Sequence, residues 1–82
     1  MTARISDRLR AALRLAADAE IVDHGDTVTV KVDSVERRYR DAIKAGGVPV
    51  EAPRDDVGLG AWRRIARVRD GETVVTMWSD RG

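Results

Sequence analysis

Few side chains in this chain are capable of chemistry. His24 is the single histidine, and there is no cysteine, so disulfides and thiolate metal sites are excluded. His24 lies in "DHGD", beside Gly25 and three residues before Thr27. One imidazole makes neither a metal site nor a triad, and an exposed turn residue is its simpler reading. Ser6, Ser34 and Ser79 are explained as caps or as terminal residues, and nothing resembles a nucleophile elbow. "GLG" at residues 58–60 follows a loop and not a strand, so it is no phosphate cradle. Trp62, Trp78 and two basic groups remain: Arg37, Arg38, Arg40 and Lys44, then Arg63, Arg64, Arg67 and Arg69. That inventory favours binding over catalysis, and neither a catalytic residue nor a cofactor is expected.

The scaffold has to be small. Eighty-two residues make one domain, and the 43% apolar fraction is mostly Ala and Val, with no Phe. A thin core follows, and small domains commonly gain stability from a partner copy. A net charge of +1 disfavours a strongly electrostatic nucleic-acid binder, and solvated faces account for both basic groups. No apolar run reaches membrane-spanning length, and no signal-peptide block opens the chain, so a cytoplasmic location without a membrane partner is expected.

Apolar spacing divides the chain. Ile5, Leu9, Ala12, Leu13 and Ala16 form one stripe at intervals of three and four, which predicts a helix over residues 2–19 capped by Thr2 or Ser6. "DHGD" marks a turn, and "TVTVKV" alternates as a strand over residues 27–32. Asp33 with Glu36 offers a capping box for the next helix, whose buried stripe is Val35, Tyr39, Ala42 and Ile43. Glu36 with Arg40, and Arg37 with Asp41, have the order expected of exposed pairs. Gly46 stops the helix and Gly47 loosens its exit. "VPVEAP" predicts a short extended edge, with Pro49 unable to donate to a ladder, and "RDDVGLG" predicts a loop. Two last strands, residues 61–69 and 73–79, surround a turn at Asp70-Gly71.

The predicted fold is therefore α+β: an N-terminal helix over residues 1–20, then a βαβββ unit over residues 21–82. One curved mixed sheet carries the helix on one face. Val28, Val30, Val32, Val75 and Met77 should lie under that helix. The other face collects Thr27, Thr29, Lys31, Val74, Thr76 and Trp78. It is too mixed for a dry core and too aromatic for plain surface, and suits a binding site with a few polar groups. Hairpin register leaves open whether Arg63 and Arg67, or Trp62 and Arg64, sit beside Thr76.

Residues 27–79 resemble one βαβββ module of the vicinal oxygen chelate superfamily, which includes glyoxalase I, extradiol dioxygenases and the bleomycin-resistance proteins. "VDSVERRYRDAIKAGGVPV" is similar to the family's strand ending, helix and "AAG" stop; "VRDGETVVTMW" is similar to its last hairpin. "DDVGLGAWRR" resembles a lengthened version of the segment between them. Family members usually pair two modules around a ligand cavity. With one module here, the resemblance implies a homodimer, the second copy completing the site.

The resemblance also bears on chemistry. Family enzymes bind a divalent metal through His, Gln or Glu early in the first strand and Glu in the last, and those positions fall on Thr27 and Thr76. A neutral hydroxyl is a poor primary ligand for such an ion, so no metal and no enzyme activity are expected. Metal-free members sequester ligands without chemistry and stack planar groups on aromatic residues. Trp78 and Trp62 are the implied stacking residues, with Thr76, Thr29, Thr27, Lys31 and Arg67 or Arg63 as polar partners. The expected function is dimeric binding of a small planar molecule. One alternative is a protein-interaction module whose N-terminal helix fills the open face. Another is a winged helix with "RDDVGLGAW" as recognition helix, although that segment is acidic at its start and broken by glycines.

Overall fold

A computed structural model describes residues 5–15, 19, 21–57 and 63–80. Among these residues, two helices and five strands follow one another as α1 (Asp7–Ala12), β1 (Ile21–Asp23), β2 (Thr27–Lys31), α2 (Val35–Lys44), β3 (Val48–Asp56), β4 (Arg63–Asp70) and β5 (Thr73–Ser79). The strands form one mixed sheet in the order β1-β2-β5-β4-β3. β2 runs parallel to β5, and every other neighbouring pair is antiparallel. β3 therefore runs parallel to β2 from the far side of the sheet, and α2 is the crossover between them.

The alternation in β2 works as the sequence requires. Val28 and Val30 are buried opposite Val75 and Met77 of β5, which lie opposite Val68 and Ala66 of β4. Val35 and Ala42 of α2 pack on this surface, with Tyr39 and Ile43 at its margin. Leu9 and Leu13 join the same cluster, so α1 lies on the same side of the sheet as α2. Hydrogen bonds from Val74 N to Asp26 O (3.0 Å) and from Val32 N to Trp78 O (2.8 Å) extend the β2–β5 pairing at its two ends.

Several expectations need correction. α1 is shorter than residues 2–19: Ser6 caps it by accepting from Leu9 N, and Arg14 at φ 54° turns the chain out of it. The other predicted cap, Thr2, and Ala16 lie outside the described residues. The short strand β1 was not anticipated; it pairs with β2 around a turn in which Asp23 Oδ1 accepts from Gly25 N at 2.8 Å. α2 begins one residue later than a cap at Asp33 would allow. Ser34 accepts from Arg37 N, while Asp33 accepts from Ser34 N and from Arg38 Nε. Glu36 thus loses its capping position and reaches Arg64 of β4, 2.6 Å away.

Arg38 is the main surprise in α2. Its side chain is 4% exposed, yet it ends between Asp33 (2.9 Å) and Asp41 (2.8 Å), both at the surface. The aliphatic stem fills the core margin while the guanidinium stays paired. Gly46 stops the helix at φ 102°, as predicted. Gly47 does more than loosen the exit: a Cβ there would lie 2.9 Å from Ala42 O, so the close turn against the helix requires glycine. β3 continues through Arg54–Asp56, where a loop was expected, because Asp55 and Asp56 pair with Arg64 and Arg63. β4 runs through Asp70, so the turn is Gly71-Glu72.

Val30 is fully buried between the sheet and the helices. Val30→Asp places a carboxylate where no partner waits, at a cost of about 4 kcal/mol or more, a large part of a small domain's stability. Circular dichroism should show an unfolded or molten chain. A cooperative melt near that of the parent would mean that the strand faces are reversed.

Candidate functional site

The sheet face turned away from both helices carries the candidate site. Direct cross-strand partners share a face, so register assigns its members. One row runs Val22, Thr29, Thr76, Arg67 and Glu51 from β1 to β3. A second runs Lys31, Trp78, Ile65 and Arg54. A third runs Thr27, Val74, Arg69 and Val48. Arg63 and Asp56 oppose each other two residues beyond Ile65, on the same face.

The register question left by the sequence is resolved in favour of Arg67, which is the cross-strand partner of Thr76. Arg64 lies on the helix side, held by Glu36 of α2 and Asp55 of β3. Trp62 falls outside the described residues. Thr27, Thr29, Lys31, Thr76 and Trp78 all share the open face, as β-strand alternation predicts. His24 is an exposed turn residue whose N–H donates to Thr27 O.

Polar groups on this face form a connected chain. Arg67 Nε donates to Thr76 Oγ1 at 3.1 Å, and the same guanidinium pairs with Glu51, which also accepts from Arg54. The Arg54 hydrogen bond, opposed by desolvation and assisted by Arg67, holds the Glu51 carboxyl below its ordinary value. Asp33, outside the site, is held low as well: its desolvation is outweighed by the hydrogen bond and charge of Arg38. The hydroxyl of Thr76 is thus already engaged by a guanidinium. Among the described residues no cluster of three or more His, Asp or Glu is placed to hold a metal ion.

Trp78 is half-buried, with buried Ile65 as its cross-strand neighbour. Two cations lie over its ring: Arg63 Cζ at 4.6 Å from the centroid and Lys31 Nζ at 5.2 Å. Lys31 is also paired with Asp80 at 3.3 Å. The sequence missed the role of Arg63 as a cover for the indole, because that contact depends on the β4–β5 register. Two apolar side chains, Val22 (43% exposed) and Val48 (52% exposed), remain in water at opposite borders of the face.

Other clefts lie away from this face. One of about 390 Å³ opens between α2 and β3, lined by Tyr39, Ile43, Arg40 and Pro53. Another of about 270 Å³ lies where Ser6 and Arg8 meet Gly46, Gly47 and Asp70. No described helix is long and apolar enough to cross a membrane. Comparison with protein-family models, with curated proteins and with solved structures gives no match.

The lowered carboxyls set the sign of the acid response. A group that ionises at lower pH when folded stabilises the fold fully above its unfolded value, 3.8 for Asp33 and 4.5 for Glu51. That contribution disappears as pH falls through the lower, folded value. Thermal melts should therefore move down as pH drops below about 4, and less steeply in an Asp33→Asn, Glu51→Gln double variant. Equal acid slopes for the two proteins would show that these pairs carry no linkage.

Proposed function

We propose that this protein is a metal-free, single-module member of the vicinal-oxygen-chelate type, binding a small planar molecule on the open sheet face between two copies of the chain. The observation that carries this reading is the asymmetry of the sheet: both helices lie on one side, and the other presents Trp78 among Thr29, Lys31, Arg63, Arg67 and Thr76. β2, α2, β5, β4 and β3 make one βαβββ unit with a mixed sheet, the kind of unit named in the sequence resemblance, which supports this reading. Val22 and Val48, exposed at the borders of the face, are suited to burial against a second copy. β3 is a poor edge for strand addition, since Pro49 and Pro53 lack donors and its register is irregular. Face-to-face closure, which would cover Trp78 and both exposed valines, is the pairing that this reading favours.

Ligand sequestration is preferred over catalysis because the two positions that would hold a metal are the hydroxyls of Thr27 and Thr76, and a guanidinium already occupies the second. Thr27, Thr29 and Lys31 would line the β2 side of the cavity and Arg67 the β4 side. A cytoplasmic binding protein fits a chain with this composition. The winged-helix alternative loses the start of its recognition helix, because Arg54–Asp56 belong to β3; residues 58–62 lie outside the described residues. A protein-interaction module remains the competing reading, now without α1 filling the open face; the cleft of Tyr39, Ile43 and Pro53 is what favours it.

The test is a calorimetric screen of planar aromatic compounds, repeated with Trp78→Ala. Truncation of a half-buried indole costs about 2 kcal/mol of stability, which leaves the domain folded. Compounds that bind the parent should lose at least about tenfold in affinity for the variant. Binding that survives Trp78→Ala unchanged would remove Trp78 from the site.

A further inference from the structure

The open face has an excess of positive charge. Lys31, Arg54, Arg63, Arg67 and Arg69 stand on it, against Glu51 and Asp56, with Asp80 at its end. Glu51 is shared by Arg54 and Arg67, and Asp80 answers Lys31. Arg63 and Arg69 have no carboxylate within ion-pair distance among the described residues. In water this imbalance costs little. If a second copy covers the face, the same excess comes from both sides into a space with less solvent, where an unanswered charge is expensive.

The indole adds a second constraint. An aromatic ring that stacks on Trp78 has to displace a cation already resting there, since Arg63 and Lys31 both lie over the ring. Offset stacking contributes on the order of 1 kcal/mol, and an exposed cation–π contact is of similar size. Beyond the area the ring buries, stacking alone therefore gains almost nothing. A negative group on the ligand changes the balance, because the displaced cation turns to it instead of to water. A guanidinium is well suited to this, with a planar fork of donors that matches a carboxylate.

We infer that the ligand of this face is a small planar aromatic anion, its ring on Trp78 and its carboxylate on Arg63, with Lys31 as the second cation. This rests on the composite cavity proposed above and specifies its ligand class. The charge of the cavity excludes aromatic cations and disfavours neutral rings. A single described aromatic residue on the face fits one ring, whereas a single-stranded nucleic acid gains from several stacking platforms along a groove.

The experiment is a titration of the intact protein followed at the indole N–H resonance of Trp78, assigned by its loss in Trp78→Phe. The probes are naphthoate, naphthamide and naphthylmethylammonium, which share one ring system and differ in charge. Naphthoate should bind at least about tenfold more tightly than naphthamide, since a hydrogen bond to a charged group carries that much more free energy. The ammonium should bind weakest. Arg63→Gln should erase the preference for naphthoate in a protein that still melts cooperatively, at most a few degrees lower, because Arg63 is exposed and loses one surface contact with the indole; Lys31→Gln should reduce it. Naphthamide binding as tightly as naphthoate would overturn the anion assignment and leave the planar-ligand reading standing. No response to any probe would overturn both. Oligothymidylate binding more tightly than naphthoate, with a salt dependence spanning several phosphates, would overturn the assignment in favour of a nucleic-acid surface.

Discussion

The parallel pairing of β2 with β5 determines where everything else lies. Val28 and Val30 face Val75 and Met77, and this apolar row is the ground on which both helices pack. The chain leaves β2, crosses through α2 and returns as β3 on the far side of β5 and β4. A crossover covers one face of a sheet, and α1 reinforces that face by adding Leu9 and Leu13 to the same cluster. Among the described residues, both helices are thus on one side. The other side of the sheet has to be something a solvated protein tolerates, and its residues answer that demand with an ion-paired network and cation-covered aromatic surface.

That network is largely self-satisfied. Thr76, Arg67, Glu51 and Arg54 are linked in sequence, and Lys31 is tied to Asp80. Apart from Arg63 and Arg69, which have no carboxylate within ion-pair distance among the described residues, this face can be covered by another protein surface with its polar groups answered, which is the condition for burying them at modest cost. Trp78 is the exception in kind: a large apolar surface kept partly sheltered by Arg63, Lys31 and its neighbour Ile65. The combination of a satisfied polar lattice and one aromatic residue under movable cations separates this face from ordinary solvated sheet.

Much of this was legible in the sequence because strand alternation has a period of two. "TVTVKV" and "VVTMW" fix which residues share a face, so Thr27, Thr29, Lys31, Thr76 and Trp78 were placed together without any knowledge of neighbours. The α2 stripe of Val35, Tyr39, Ala42 and Ile43 was equally plain. What escaped depends on contacts between distant segments. β1 is three residues long and shows no alternation of its own. Arg54–Asp56 become strand through pairing with β4, although their composition is that of a loop. Arg38 looks like one exposed basic residue among several, and only its aspartates at both sides allow it to be buried. Arg67 and Arg63 were candidates whose facing required the register of the last hairpin, and the turn at Gly71-Glu72, one residue later than "DG" suggests, makes Arg67 the direct partner of Thr76.

The central claim is that one chain supplies half of a covered face, and the mass of the protein in solution addresses it most directly. Light scattering after size exclusion should give twice the 9.0 kDa of the chain. Val22 and Val48, together with the open face, should then show slowed exchange or solvent protection beyond what a lone sheet provides. A mass of one chain, at concentrations well above those at which a stable dimer forms, would contradict the account, because the face around Trp78 would then be ordinary solvated surface.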